Sequence, residues 1–130
     1  MISPHLTRPL ATVRGGDRPS VGGKAAALGE LTGAGLPVPP GFAVTTAAFG
    51  HALRALDPDG TMARQVGGLP ADDATGIAEV SAQVRDRILG APLPARLRDE
   101  IAASYQALAQ QASAAAGAVP VAGAVPVAVR

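Results

Sequence analysis

The sequence predicts an α+β fold, about four helices with a small mixed sheet, and three observations carry that prediction. Of 130 residues, 16 are Gly and 12 are Pro, which punctuates the chain into short elements. Four stretches place apolar residues three and four apart, the period of a helix packed on one face. Two short runs, Phe42 to Val44 and Val125 to Arg130, read instead as strands. The length suits one domain with one core. The 48% apolar content is that of a folded chain, but much of it is alanine, so the core should be thin.

The first helix opens at Gly22-Gly23 and runs from Lys24 to about Thr32, with Leu28 and Leu31 as its apolar edge and Gly33 and Gly35 as its stop. Leu36-Pro37-Val38-Pro39-Pro40-Gly41 must be extended, because each proline fixes its own φ and biases the residue before it away from helix. Phe42-Ala43-Val44 follows as a strand. Thr45 or Thr46 caps a helix from Ala47 to about Leu56 whose apolar face is Phe49, Leu53 and Leu56. Phe42 and Phe49, two of only three aromatic residues, are expected to dominate burial by anchoring the Pro37 to Gly41 segment on Leu28 and Leu31.

Asp57-Pro58-Asp59-Gly60 reads as a turn, and Met62 to Leu69 is ambiguous. Asp72 and Asp73 supply a cap for a helix to about Leu89, with Ile77, Val80, Val84 and Ile88 inward. After Gly90-Ala91-Pro92, Pro94 suits the first turn of a helix to about Gln111, with Leu97, Ile101, Tyr105 and Leu108 on one face. Residues 112–124 form an Ala/Gly-rich low-complexity linker in which the AVPVA run at 118–122 recurs at 124–128. Pro126 fits only the start or edge of the strand that follows.

Several function classes drop out. Three aromatic residues and a net charge of +1 leave neither a stacking platform nor a phosphate-neutralising excess, against nucleic-acid binding. The chain has no cysteine, which excludes disulfides, thiolate zinc sites and thiol nucleophiles and fits a reducing cytoplasm. His5 and His51 stand alone, so no metal site is read. The opening residues lack a signal-peptide core, and the uncharged run 101–129 is too rich in Ala, Gln and Pro for a membrane span. The expectation is a cytoplasmic protein away from membranes.

One lysine stands against ten arginines, and it follows two glycines at a helix start, Val21-Gly22-Gly23-Lys24. Helix N-termini present unpaired N–H groups and partial positive charge, glycine lets a ligand reach the backbone, and an ammonium completes an anion pocket. This is no Walker A loop: Arg18 stands where its first glycine belongs, and Ala25 where Ser or Thr should follow the lysine. On these residues alone an anion site and an ordinary glycine-led helix with a solvated lysine both stay open. Ser20, His51 and Asp57 could be drawn as a triad, but no nucleophile-elbow sequence supports it. No catalytic residue is assigned. The acid pairs Asp72-Asp73 and Asp99-Glu100 are explained by capping.

VGGKAAALGELTGAGLPVPPGFAVTTAAF, residues 21–49, resembles the opening of the nucleotide-binding domain of phosphoenolpyruvate-utilising dikinases. It resembles most the phosphoenolpyruvate synthase (pyruvate, water dikinase) and rifampicin phosphotransferase families, which share an ATP-grasp-like domain of the pyruvate phosphate dikinase type. Looser similarity runs through QVRDRILGAPLPARLRDEIAASYQAL, residues 83–108, and returns at Val127-Ala128-Val129-Arg130. The resemblance implies that Lys24, with Gly22 and Gly23, contacts ATP phosphates and that Arg130 is a second phosphate-contacting cation at the end of a strand. It makes residues 1–130 part of a pyruvate phosphate dikinase-type AMP/ATP-binding domain, an incomplete ATP-grasp-like N-terminal subdomain. In the family, a phosphoryl group passes from ATP to a histidine on a swivelling domain and on to pyruvate or another acceptor. Mg²⁺ and the acceptor site belong to parts of the family protein outside these residues, so this chain alone is expected not to turn over. The rival reading from another class is a noncatalytic helical interaction domain.

Overall fold

The computed structural model describes residues 5–115 and Val129. A strand β1 (Thr7–Pro9) leads through 3-10 turns at Leu10–Thr12 and Gly15–Asp17 into α1 (Arg18–Gly33). Then come β2 (Phe42–Val44), α2 (Thr46–Leu56), α3 (Thr61–Gly67), α4 (Ala74–Gly90) and α5 (Ala95–Ala115). The α+β expectation holds. The four helices read from periodicity are α1, α2, α4 and α5, and the ambiguous segment after Gly60 is the short α3.

β1 pairs antiparallel with β2, Thr7 opposite Val44, Arg8 opposite Ala43 and Pro9 opposite Phe42. Backbone bonds from Leu10 N–H to Gly41 O (2.9 Å) and Thr45 N–H to Leu6 O (3.0 Å) extend the ladder at both ends. The partner strand is therefore an N-terminal Thr-Arg-Pro whose residues give no strand signal of their own. The strand expected at 125–130 lies outside the described residues apart from Val129.

Leu6, Ala48 and Leu97 form the core, with Ala47, Ala52 and Ile101 packed around them. α5 is tied to β1 by two polar contacts: Leu6 N–H donates to Glu100 Oε2 (2.9 Å), and Thr7 Oγ1 lies 2.8 Å from Ser104 Oγ. This arrangement corrects the reading of α2. Thr45 caps it by accepting from Ala48 N–H, as expected, but the cap turns the alanines inward and leaves Phe49 66% exposed. Small side chains let α2 approach β1 and α5 closely, so alanine takes the place reserved for Phe49, and Phe49 anchors nothing.

The same correction applies to two other faces. In α1 the buried residues are Ala26 and Gly29, while Leu31 is exposed. In α4 only Val80 is buried; Ile77 and Ile88 face outward although they share its stripe. α4 leans on the short α3, where Met62 is buried, and too little surface lies against it to cover the whole stripe. Asp57 carries α3 from the end of α2, its buried carboxylate accepting from Met62 N–H (2.9 Å) and Ala63 N–H (3.0 Å). Asp73 caps α4 by accepting from Gly76 N–H. α5 runs on to Ala115, past the expected end at Gln111. No helix among the described residues is long and apolar enough to cross a membrane.

Candidate functional site

α1 is not one continuous helix. Gly22 has φ 82° and ψ 163°, a conformation essentially reserved for glycine, so the helical path breaks there and restarts at Gly23. A Cβ at Gly22 would meet nothing within 4 Å, so backbone conformation, not packing, requires the glycine. The turn at residues 18–21 comes first; residues 23–33 then form the segment whose N-terminus the sequence predicts at Gly22-Gly23. Its first turn, Gly23-Lys24-Ala25, lacks upstream helical carbonyls and carries the positive end of the segment's dipole. Gly22, Gly23 and Lys24 are all exposed, and the structure brings these three predicted residues together.

The short turn ahead of the break is held from several sides. Asp17 is gripped by Arg8 Nη1 at 2.7 Å and accepts from Arg14 N–H at 2.8 Å. The Arg8 hydrogen bond, with the Arg14 N–H behind it, holds the Asp17 carboxyl below its ordinary range. Ser20 Oγ donates to Asp17 O (2.9 Å), and Thr46 Oγ1 donates to Pro19 O (3.3 Å), fastening the turn to α2. Behind the break, Gly29 sits against the Val13 carbonyl, and Gly15 N–H donates to Glu30 Oε1 (2.5 Å). The C-terminal end is locked by Gly35 at φ 77°, with Leu36 N–H on Leu31 O (3.0 Å) and Gly35 N–H on Thr32 O (3.1 Å). The glycine break thus rides on a braced helix.

Sequence reasoning missed Arg18. Its Nε, Nη2 and Cζ lie 3.5, 3.6 and 3.7 Å from where a Cβ on Gly23 would stand, so the guanidinium lies across Gly23. Residues five apart point away from each other on an unbroken helix; only the turn at Gly22 brings them together. An Arg-Pro pair ahead of two glycines carries no signal of that. Arg130 lies outside the described residues. The paper triad dissolves: Asp57 is spent on α3, and Ser20 on the Asp17 carbonyl. Among the described residues, no group of three or more His, Asp or Glu could hold a metal ion.

The exposed glycine break is followed by the sole lysine of the sequence, and residues 18–130 match the family described as pyruvate phosphate dikinase, AMP/ATP-binding domain. The chain belongs to that family. Its matched region opens at Arg18, so it contains Arg18 and the Gly22-Gly23-Lys24 break, while Arg8, Arg14 and Asp17, which brace the turn, lie ahead of it. The chain is 40% identical over 93 residues to phosphoenolpyruvate synthase of Pseudomonas aeruginosa, covering 68% of this chain and 12% of that protein. It is 40% identical over 98 residues to phosphoenolpyruvate synthase of Helicobacter pylori, 70% of this chain and 12% of that one. With a probable phosphoenolpyruvate synthase of Methanothermobacter thermautotrophicus it shares 38% over 90 residues, 69% of this chain and 13% of the relative. The chain thus spans only about an eighth of the length of these relatives.

Proposed function

We propose that this chain is the nucleotide-binding portion of a phosphoenolpyruvate synthase-like dikinase and that Gly22, Gly23 and Lys24 receive the phosphates of ATP. The observation that carries the reading is the position of Lys24 directly behind a glycine-only backbone break, inside the region that matches an AMP/ATP-binding domain. The fit is chemical: exposed N–H groups at a helix start, an ammonium on a flexible stem, and Asp17 already engaged by Arg8, so that it does not repel an incoming anion.

In this reading the backbone of the restarted helix orients the phosphates, and Lys24 offsets their charge. Arg130 is proposed as a further phosphate contact, in keeping with the family resemblance of Val127 to Arg130. Phosphoryl transfer needs a metal ion and several cations to stabilise the transferring group. Mg²⁺ would supply that charge when bound, although no group of three or more His, Asp or Glu among the described residues could hold it. Residues 1–130 are then part of an AMP/ATP-binding domain, in which residues 112–115 continue α5 rather than open the linker expected from their composition. The relatives from Pseudomonas aeruginosa, Helicobacter pylori and Methanothermobacter thermautotrophicus carry the name phosphoenolpyruvate synthase, which favours pyruvate over a drug as the acceptor reached through other parts of such a protein.

Titrating the purified chain with Mg·ATP at low and high salt, followed by an assay of AMP and phosphate release with and without pyruvate, tests this reading. Weak, salt-sensitive binding near the millimolar range without turnover is expected, since screened contacts at an exposed site contribute only about 4 kcal/mol at that affinity. Complete lack of nucleotide binding at low salt would refute it.

A further inference from the structure

We infer that Arg18 is a further phosphate-contacting residue of this site, acting beside Lys24 across the Gly22 break. The inference rests on the nucleotide-site reading above and adds to it a residue that neither the glycine-lysine motif nor its spacing singles out.

Three features of the structure lead there. The Arg18 guanidinium lies across Gly23, 3.5 to 3.7 Å from the position of a Cβ there, and therefore beside the first N–H groups of the restarted helix. No carboxylate among the described residues neutralises it. The nearest acid in sequence, Asp17, is taken by Arg8 at 2.7 Å and by Arg14 N–H, and Arg18 forms no ion pair among the described residues. Its approach also depends on the break itself, since a regular helix would carry residues 18 and 23 to different sides.

Arg18, Lys24 and the positive end of the residue 23–33 segment thus gather like charge around one glycine, and neither side chain has an ion-pair partner among the described residues. A guanidinium presents a planar fork suited to two phosphate oxygens, whereas an ammonium acts as a point charge. Arg18 and Lys24 therefore complement each other on a polyphosphate: Arg18 grips across Gly23, and Lys24 follows one residue on.

The test follows backbone amide shifts of the 130-residue chain during titration with inorganic tripolyphosphate, ATP and adenosine, for the wild type, Arg18→Gln, Arg18→Lys and Lys24→Met. The expected result is tripolyphosphate- and ATP-dependent shifts centred on Gly22 to Ala25, weakened roughly 3- to 10-fold by Arg18→Gln, an exposed charge-assisted contact. Arg18→Lys should recover part of the loss, and adenosine should be indifferent to all three substitutions. Wild-type affinity in Arg18→Gln, with loss in Lys24→Met, overturns the role of Arg18 and leaves the site reading standing. Absence of any polyphosphate-dependent shift in the wild type overturns both.

Discussion

Gly29 of α1 lies flat against the carbonyl oxygen of Val13, so close that a Cβ on Gly29 would overlap both that oxygen and the Val13 carbonyl carbon. Val13 is fully buried and Gly29 is buried with it, so this backbone-to-backbone contact seats α1 on the segment that follows β1. The long contact surface between α1 and the two 3-10 turns depends on it.

Gly29→Ala should therefore destabilise the fold although alanine favours helices. The added methyl meets backbone, not the end of a flexible side chain, and the helix must shift to admit it. Overpacking of this kind costs about 1–3 kcal/mol, more than the ~1 kcal/mol that alanine contributes over glycine in a helix. A urea midpoint equal to or above wild type would show that α1 can move away from Val13 freely.

Phe49→Ala and Leu97→Ala should separate two ideas of the core. Phe49 is 66% exposed, so its removal should change stability by less than about 1 kcal/mol. Leu97 is 3% exposed and belongs to the Leu6–Ala48 cluster, so its truncation should cost about 2–5 kcal/mol. Denaturation midpoints in the reverse order would restore the aromatic-centred core.

What the sequence revealed, and what it concealed, follows from where the information resides. Caps and breaks are local, so a cap at Thr45 or Thr46, one at Asp72-Asp73, the extended prolines before Phe42 and a helix start at Gly22-Gly23 were all legible, although the helical turn ahead of that start was not. Which face turns inward is settled by neighbours: Ala48 displaced Phe49 because β1 and α5 leave room only for a small side chain. β1 was invisible because Thr7-Arg8-Pro9 becomes a strand only through β2. At the site, Lys24 with its glycines was legible as a motif. Arg18 was not, since its approach to Gly23 exists only once Gly22 has turned the chain.

Acid should loosen the junction between β1 and α5. The hydrogen bond from Leu6 N–H, with a smaller contribution from Arg96, lowers the Glu100 carboxyl from its ordinary 4.5, against the opposing effect of burial. Asp17 is lowered from 3.8 by Arg8 and the Arg14 N–H. Below these ordinary values the unfolded chain binds more protons than the folded one, so the stability they contribute is fully present above pH 4.5 and is lost as pH falls through the lower folded values. Glu100→Gln should flatten part of that acid limb in thermal melts between pH 7 and pH 3 and leave the neutral-pH fold in place. An unchanged limb in the variant would detach Glu100 from acid stability.

Lys24→Met should weaken ATP binding while the fold stays intact. The side chain is exposed on the first turn after the break and makes no ion pair among the described residues, so its loss removes no packing. Methionine keeps the length and helix propensity of the stem and deletes only the charge. A charge-assisted hydrogen bond to phosphate contributes about 1.5–3 kcal/mol, which corresponds to a loss in affinity on the order of 10- to 100-fold. The lower end is expected, because solvent screens an exposed site. Raising the salt concentration should shrink the difference between wild type and variant, as it would not if the lysine stem acted by packing. Calorimetric titration with Mg·ATP at two ionic strengths measures both effects, with circular dichroism to verify the helix content. Equal affinities for wild type and variant at low salt would remove Lys24 from the site and leave the Gly22 break as a turn with no ligand to receive.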